Sequence, residues 1–155
     1  RWPMFVRLAL ADEAELLVEM ARDAVAQTKP EHEFDADRVR TVFTSYLQHA
    51  HPTFFFVEQN RKVIGFLQAE MGLYDFTSGM FTVQKTVYVQ RDKRGTRAAT
   101  LLMQHFIEWS RVHIGAKEAF GGVDNDFHAE RTAGFLERFC FKRVGYAMTL
   151  DLRNG

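Results

Sequence analysis

The order of elements legible in the sequence is β-α-α-β-β-β-α-β-α-β, which predicts an α/β (or α+β) domain: a mixed, twisted central sheet flanked by about four helices. Three observations carry that expectation. Short Val-, Thr- and Phe-rich runs alternate with longer runs of helical apolar spacing. The first half contains a tight hairpin signal, and the second half reads β-α-β-α-β. The length of 155 residues suits one core, so residues 1–155 are expected to form a single domain.

Each element has its own signature. Met4 to Leu10 reads as a first strand. Asp12 is placed to cap the helix that follows, with Glu15 three residues on as in a capping box, and Leu16, Leu17, Met20, Ala21 and Ala24 keep helical spacing. A second helix is expected from Asp35, because Val39, Val42, Phe43, Tyr46 and Leu47 fall on one face. Thr53 to Glu58 and Val63 to Glu70 flank Gln59-Asn60-Arg61-Lys62 as a hairpin. Gly72 to Gly79 is a loop or a strand end, and Phe81 to Val89 is the next strand. A long helix is expected from Gly95 to about His113, with Leu102, Phe106, Trp109 and, less regularly, Val112 on one side. Ala119 to Val123 is a short strand, Glu130 to Phe139 a last helix, and Lys142 to Leu152 a last strand. The alternating Val144, Tyr146 and Met148 would give that strand an apolar edge suited to a homodimer.

Composition narrows the function classes. Lys+Arg and Asp+Glu both total 20, a balance that argues against a protein that coats nucleic acid. The single Cys140 excludes an internal disulfide framework and a Cys-rich zinc site, and it fits a reducing cytoplasm. As a substitute for a helix-end residue, Cys140 is expected to be buried and structural. No apolar run approaches the ~20 residues of a membrane span, and no signal-peptide pattern is present. His49 and His51 lack a carboxylate or Cys at ligand spacing, so no metal site is expected there.

The chemistry-bearing stretch is Val87 to Ser110, where a strand meets a helix through one glycine crowded by Arg91, Lys93, Arg94 and Arg97. A helix N-terminus presents unpaired N–H groups and a partial positive charge, which together attract anions. Gly95 can adopt a backbone conformation closed to other residues and lets a ligand approach the main chain. Thr96, Ala98 and Ala99 leave the first turn open. The arrangement suits a pyrophosphate; the alternative on these residues alone is a solvated basic loop around a turn glycine.

With element order added, the chain resembles the GCN5-related N-acetyltransferase (GNAT) family. That family carries Val-x-Pro-x-x-Arg-Gly-x-Gly-x-Gly/Ala between a strand and a helix. Here Val89, Arg94, Gly95 and Ala99 match, Arg91 stands at the proline, and Arg97 at the second glycine. Further on, the family often reads Tyr-x-x-x-Gly-Phe. Here Leu136 stands at the tyrosine, Cys140 at the glycine and Phe141 at the phenylalanine. The resemblance implies a central sheet of six to seven strands and acetyl-CoA as cosubstrate. It places the pyrophosphate on the amides of Arg94, Gly95, Thr96, Arg97, Ala98, Ala99 and Thr100, and the pantetheine along Val87, Tyr88 and Val89. It also implies a splay between the strands Phe81–Val89 and Ala119–Val123.

The implied activity is acetyl transfer to a primary amine, on a small molecule or a peptide, by direct attack in a ternary complex. The base candidates are the strand-end carboxylates Glu70 and Asp124, with His128 more remote. Gln84, an amide, is no base. The N-terminal helices, with Tyr46, Tyr74, Asp75 and Phe76, are expected to wall the acceptor site. Tyr88 and Tyr146 could orient a substrate, although sheet packing is the simpler role for both. Arg97 at a glycine position and Leu136 at a tyrosine position motivate an alternative: a weakly active or inactive acyl-CoA-binding protein on the same fold. A nucleic-acid binder using the Arg91–Arg97 patch is the third reading, and the zero net charge disfavours it.

Overall fold

The computed structural model describes residues 3–122 and 128–153. Strand β1 is Met4–Leu8, and helix α1, Ala14–Thr28, follows. The expected Asp12/Glu15 capping box is not made. Glu13 holds this corner instead: its carboxylate accepts from the Leu10 amide at 2.7 Å and from both terminal nitrogens of Arg7 at 2.7 and 2.8 Å. Glu15 pairs outward with Arg40. Helix α2, Ala36–His49, begins as expected at Asp35, whose side chain accepts from the Arg38 amide at 2.9 Å.

Strands β2 (Thr53–Gln59) and β3 (Lys62–Leu73) form the hairpin. Asn60 and Arg61 both have positive φ, 52° and 61°, the requirement of a type I′ turn. Strand β4 is Met80–Val89. A 3₁₀ turn, Arg91–Lys93, leads to helix α3, Ala98–Glu108, and a wider π turn, Trp109–Ile114, closes it. The π winding breaks the 3.6-residue register expected up to His113. Val112 is therefore exposed, while Ser110 turns inward and hydrogen-bonds the buried hydroxyl of Thr82 at 2.7 Å.

Strand β5, Glu118–Gly121, and helix α4, Ala129–Glu137, complete the regular structure among the described residues. The sheet order is β1-β2-β3-β4-β5, antiparallel except for the parallel β4–β5 pair. Five strands are found among the described residues where six to seven were expected. The difference lies at the C-terminal end, where residues 141–152 form no strand. α4 ends in a left-handed residue, Cys140 (φ 70°), around which the Phe141 amide reaches the Leu136 carbonyl at 3.3 Å. This is a glycine's conformation. It turns Cys140 out to solvent, against the expectation of a buried thiol.

Two apolar cores cover the sheet. On one face, Leu17 and Met20 of α1 and Phe43 and Tyr46 of α2 pack on Phe54, Phe56 and Phe66. On the other, Leu102, Met103 and Phe106 of α3 and Leu136 of α4 pack on Phe55, Val57 and Leu67. β2 is buried on both sides, which is why its sequence is continuously apolar rather than alternating.

Candidate active site

Strand β4 organises the site. It pairs with β3 along its length, from Leu73↔Met80 to Gly65↔Val89, but with β5 only from Phe81↔Glu118 to Gln84↔Gly121. Beyond Gln84, residues 85–89 have no strand on that side among the described residues. The sheet thus opens where the sequence resemblance implied, leaving a backbone edge that runs to the Gly95 junction.

A β-bulge sits at the opening. Gln68 faces Thr86 and Ala69 faces Gln84, so Lys85 is an extra residue on β4. The bulge reverses the alternation of the strand. Before it, Thr82 and Gln84 point toward the α3/α4 side, where Thr82 meets Ser110 and Gln84 lies beside Gly121. After it, the odd-numbered Val87 and Val89 take that side, and Tyr88 joins the α1/α2 core. Lys85 points away and donates to Glu70 at 2.9 Å.

At the junction, Gly95 has φ +83°, a conformation L side chains rarely adopt, and a Cβ built there would meet nothing within 4 Å. The space in front of the loop is open. Thr96 donates its hydroxyl to the Lys93 carbonyl at 2.5 Å and accepts from the Ala98 amide at 3.3 Å. Arg97 has φ −80° and is exposed, so its Cβ sits in ordinary helical geometry and its side chain is outside the turn. Ala98 is fully buried against Val89 and Leu102.

The four cations divide into two pairs. Arg91 donates to Asp23 of α1, at 2.7 Å from Nη2. Arg94 donates from Nε to the Val89 carbonyl at 3.0 Å and from Nη2 to Gln27 of α1 at 2.8 Å. Lys93 and Arg97 have no ion pair among the described residues. The Arg91 guanidinium, then the Tyr88 hydroxyl, hold the Asp23 carboxyl below its ordinary range. Burial, then the 2.5 Å bond to Asp23, push Tyr88 up to about 12. Tyr88 is therefore a neutral donor committed to α1, with its ring in the core, in keeping with sheet packing.

Leu136 is buried beside the end of the β4–β5 pairing. A Cβ on Gly121 would stand 3.2 and 3.3 Å from its two methyls and 3.3 Å from Gln84 Oε1. Leu136, Gln84 and Gly121 thus converge at the opening; the sequence marks Leu136 and Gln84, and only Gly121 carries no signal. Of the two candidate bases, Glu70 lies on the α1/α2 side of β3, two positions beyond Gln68. Asp124 lies outside the described residues.

The expected acceptor wall needs correction. Tyr46 is a core residue whose hydroxyl donates to the Ala9 carbonyl at 2.6 Å. Tyr74 donates to Glu118 at 2.5 Å, which pushes it up to about 12, while Phe76 is fully exposed. The cleft that does form between α1, α2 and the sheet holds about 150 Å³, bounded by Leu17, Val42, Phe54 and Phe66 with Arg38 and Gln68 as polar members. Tyr146 is 96% exposed and far from any packing role. His128 begins α4 in a left-handed conformation. His105 meets Phe55 edge-on, with ring centroids 4.9 Å apart. No cluster of metal-ligating side chains exists among the described residues, and no helix among them is long and apolar enough to cross a membrane.

Residues 15–141 match the Acetyltransferase (GNAT) family. No curated protein matches the sequence. Solved structures superpose on nearly the whole chain at low identity. A transcriptional regulator from Bacillus halodurans C-125 is 15% identical with a TM-score of 0.79, covering 97% of this chain and 100% of its own. A ribosomal-protein-alanine N-acetyltransferase from Brucella melitensis is 13% identical with a TM-score of 0.77, covering 97% and 99%. The aminoglycoside N-acetyltransferase AAC(6')-Iy, solved in complex with CoA, is 17% identical with a TM-score of 0.77, covering 99% and 97%.

Proposed function

Because the chain belongs to the acetyltransferase (GNAT) family, we propose that it transfers an acetyl group from acetyl-CoA to a primary amine, by direct attack within a ternary complex. The observation that carries this reading is the open edge of β4 running without interruption into the Gly95 junction. A strand edge offers free N–H and C=O groups to an amide-bearing arm, and the helix start beyond it offers amides and cations to a diphosphate.

The residues present fit that cosubstrate. Val87, Tyr88 and Val89 would pair with the pantetheine. The amides from Arg94 to Thr100 would hold the pyrophosphate, with Lys93 and Arg97 as charge neighbours. Gly95 leaves the approach clear, and Arg97 lies outside it. Acetyl-CoA supplies an acyl carbon activated as a thioester.

The chain must then manage two protons. A primary amine of lysine type has a pKa near ~10.4 and attacks only once it is neutral. Glu70 is the candidate acceptor on the α1/α2 side, next to the cleft at Gln68, with Asp124 as its rival on the β5 side. An N–H of β4 at the bulge is the group suited to the developing oxyanion. Leu136 has no proton to give the leaving thiolate, so water does that work. General acid help is typically worth ~10²–10⁴-fold, and a slow enzyme is the consequence. The acceptor is an amine on a small molecule or peptide whose neighbouring groups are partly apolar, as the cleft lining suggests.

Calorimetric titration of acetyl-CoA, followed by a thiol-release screen over amines, tests the reading. Micromolar binding, about −8 kcal/mol, with turnover on at least one amine is expected. A Gly95→Val variant should lose binding, whereas Arg97→Gly should keep it. Neither binding nor thiol release by the parent would sink the proposal.

A further inference from the structure

The loop that joins β4 to α3 has no anchor of its own. Among residues 91–97 none is buried. Its backbone bonds are those of short turns: the Lys93 amide to the Gln90 carbonyl at 2.9 Å, the Arg94 amide to Arg91 at 3.5 Å and the Thr96 amide to Lys93 at 3.4 Å. A segment with few buried contacts and exposed hydrogen bonds opens easily. Its attachment to the rest of the fold runs through α1, by way of Asp23 and Gln27. These two stand at i and i+4, so they share one helix face.

The contacts close into a ring. The Tyr88 hydroxyl donates to Asp23 at 2.5 Å, and Arg91 donates to it from Nη2 at 2.7 Å. Gln27 donates its amide nitrogen to the same carboxylate at 3.1 Å and accepts from Arg94 at 2.8 Å. Arg94 returns to β4 by donating to the Val89 carbonyl at 3.0 Å. The ring also accounts for a departure in the sequence. A proline stiffens a loop through its own pyrrolidine. Arg91 stands where the family's motif has that proline, and its hold lies in a carboxylate on another element.

We infer that Asp23 and Gln27 are positioning residues for the cosubstrate: through Arg91 and Arg94 they keep residues 91–97 in the geometry that receives the pyrophosphate. The inference rests on the acetyl-CoA reading above. A loop ordered beforehand loses little freedom when its ligand arrives, and that saving appears as affinity. The sign of the effect is diagnostic. A carboxylate acting by charge alone repels a diphosphate, so its removal would tighten binding. A carboxylate that holds the loop weakens binding when it is removed.

The loop carries its own reporter, because trypsin cuts after Arg91, Lys93, Arg94 and Arg97. In the free chain, Asp23→Asn should be cut within residues 91–97 about tenfold faster than the parent. The asparagine oxygen still accepts from Tyr88, so the urea midpoint should stay near the parent's. By calorimetry the Kd for acetyl-CoA should rise about tenfold, the order expected when two long side chains must be immobilised on binding. Its KM should rise alike while kcat holds. Gln27→Ala, which frees Arg94 and leaves the Asp23–Arg91 pair, should move both readouts in the same direction. Glu15→Gln, which breaks the α1 pair with Arg40 away from the junction, should move neither. If Asp23→Asn binds as tightly as the parent or tighter, or its loop is cut no faster, the inference falls and the acyl-transfer reading stands. A parent that binds no acetyl-CoA overturns both.

Discussion

β2 and residues 142–152 are both apolar enough to be strands, and they end in opposite circumstances. β2 places Thr53 to Val57 in the interior, between two helical layers and two neighbouring strands. The later segment has an alternating rather than continuous apolar pattern and no paired strand among the described residues. The difference teaches that apolar patterning specifies a face, while the existence of a strand depends on who offers an edge. β2 receives edges from β1 and β3 within a few dozen residues of chain. The later segment is offered none among the described residues.

The sharpest way to probe that contrast is to remove one ring. Phe56 is fully buried, so Phe56→Ala should cost about 3–5 kcal/mol in urea unfolding. Val144→Ala, at a residue 87% exposed, is the opposite limit. It should change stability by less than about 0.5 kcal/mol.

Between these limits lies the half-covered end of the sheet. Ser110→Ala would leave the buried Thr82 hydroxyl without its partner and should cost about 1–3 kcal/mol. At the joint between α4 and the unpaired segment, Cys140→Gly should stabilise the chain by about 1 kcal/mol, because glycine accepts the left-handed conformation without penalty. Thermal unfolding of the two variants should therefore move in opposite directions.

Acid separates the two regions again. Arg7 holds the Glu13 carboxyl below its usual value of 4.5, and the same guanidinium reaches Glu58 on β2. The folded state thus binds fewer protons at Glu13 than the unfolded chain does. Its contribution is complete above the ordinary carboxylate range and is lost as pH falls through the depressed folded value. The urea midpoint of Glu13→Gln should lie below the parent's at pH 7, and the gap should close toward pH 3. Asp151 is also held low by Arg153, but both side chains are about half exposed. Asp151→Asn should show no such gap, since water and salt screen the pair.

Much of this was legible beforehand for reasons that can be named. Asn60-Arg61 between two β-rich runs is a local turn signal, and both residues adopt the φ it demands. The Arg94-Gly95 pair before small residues marks a junction whose glycine is indeed left-handed. What could not be read was non-local or depended on counting. The Glu13 clamp combines Arg7, six residues away, with the Leu10 amide, which stands three residues back as in a capping box but on a residue with no capping side chain to signal it. Ser110 is buried only because the helix widens to π winding. Tyr46 has the composition of a site residue and the position of a core residue, because α2 is rotated to seat it against Ala9. The β4 bulge leaves no mark in composition, since Lys85 and Thr86 are ordinary strand-surface residues.

That bulge carries a constraint of length rather than identity. Two residues stand between Gln84 and Val87 where plain alternation would place one, and both of those face α3 and α4 because Lys85 is supernumerary. Deleting Lys85 would set Thr86 directly after Gln84 and opposite Gln68, with Val87 and Val89 still on the α3/α4 side and Tyr88 still on the α1/α2 side. What would go is the local kink and the Lys85–Glu70 contact, and with the kink the direction in which the strand runs on toward Gly95. Substitutions at Lys85 keep the kink; a single-codon deletion straightens the strand without turning its faces over.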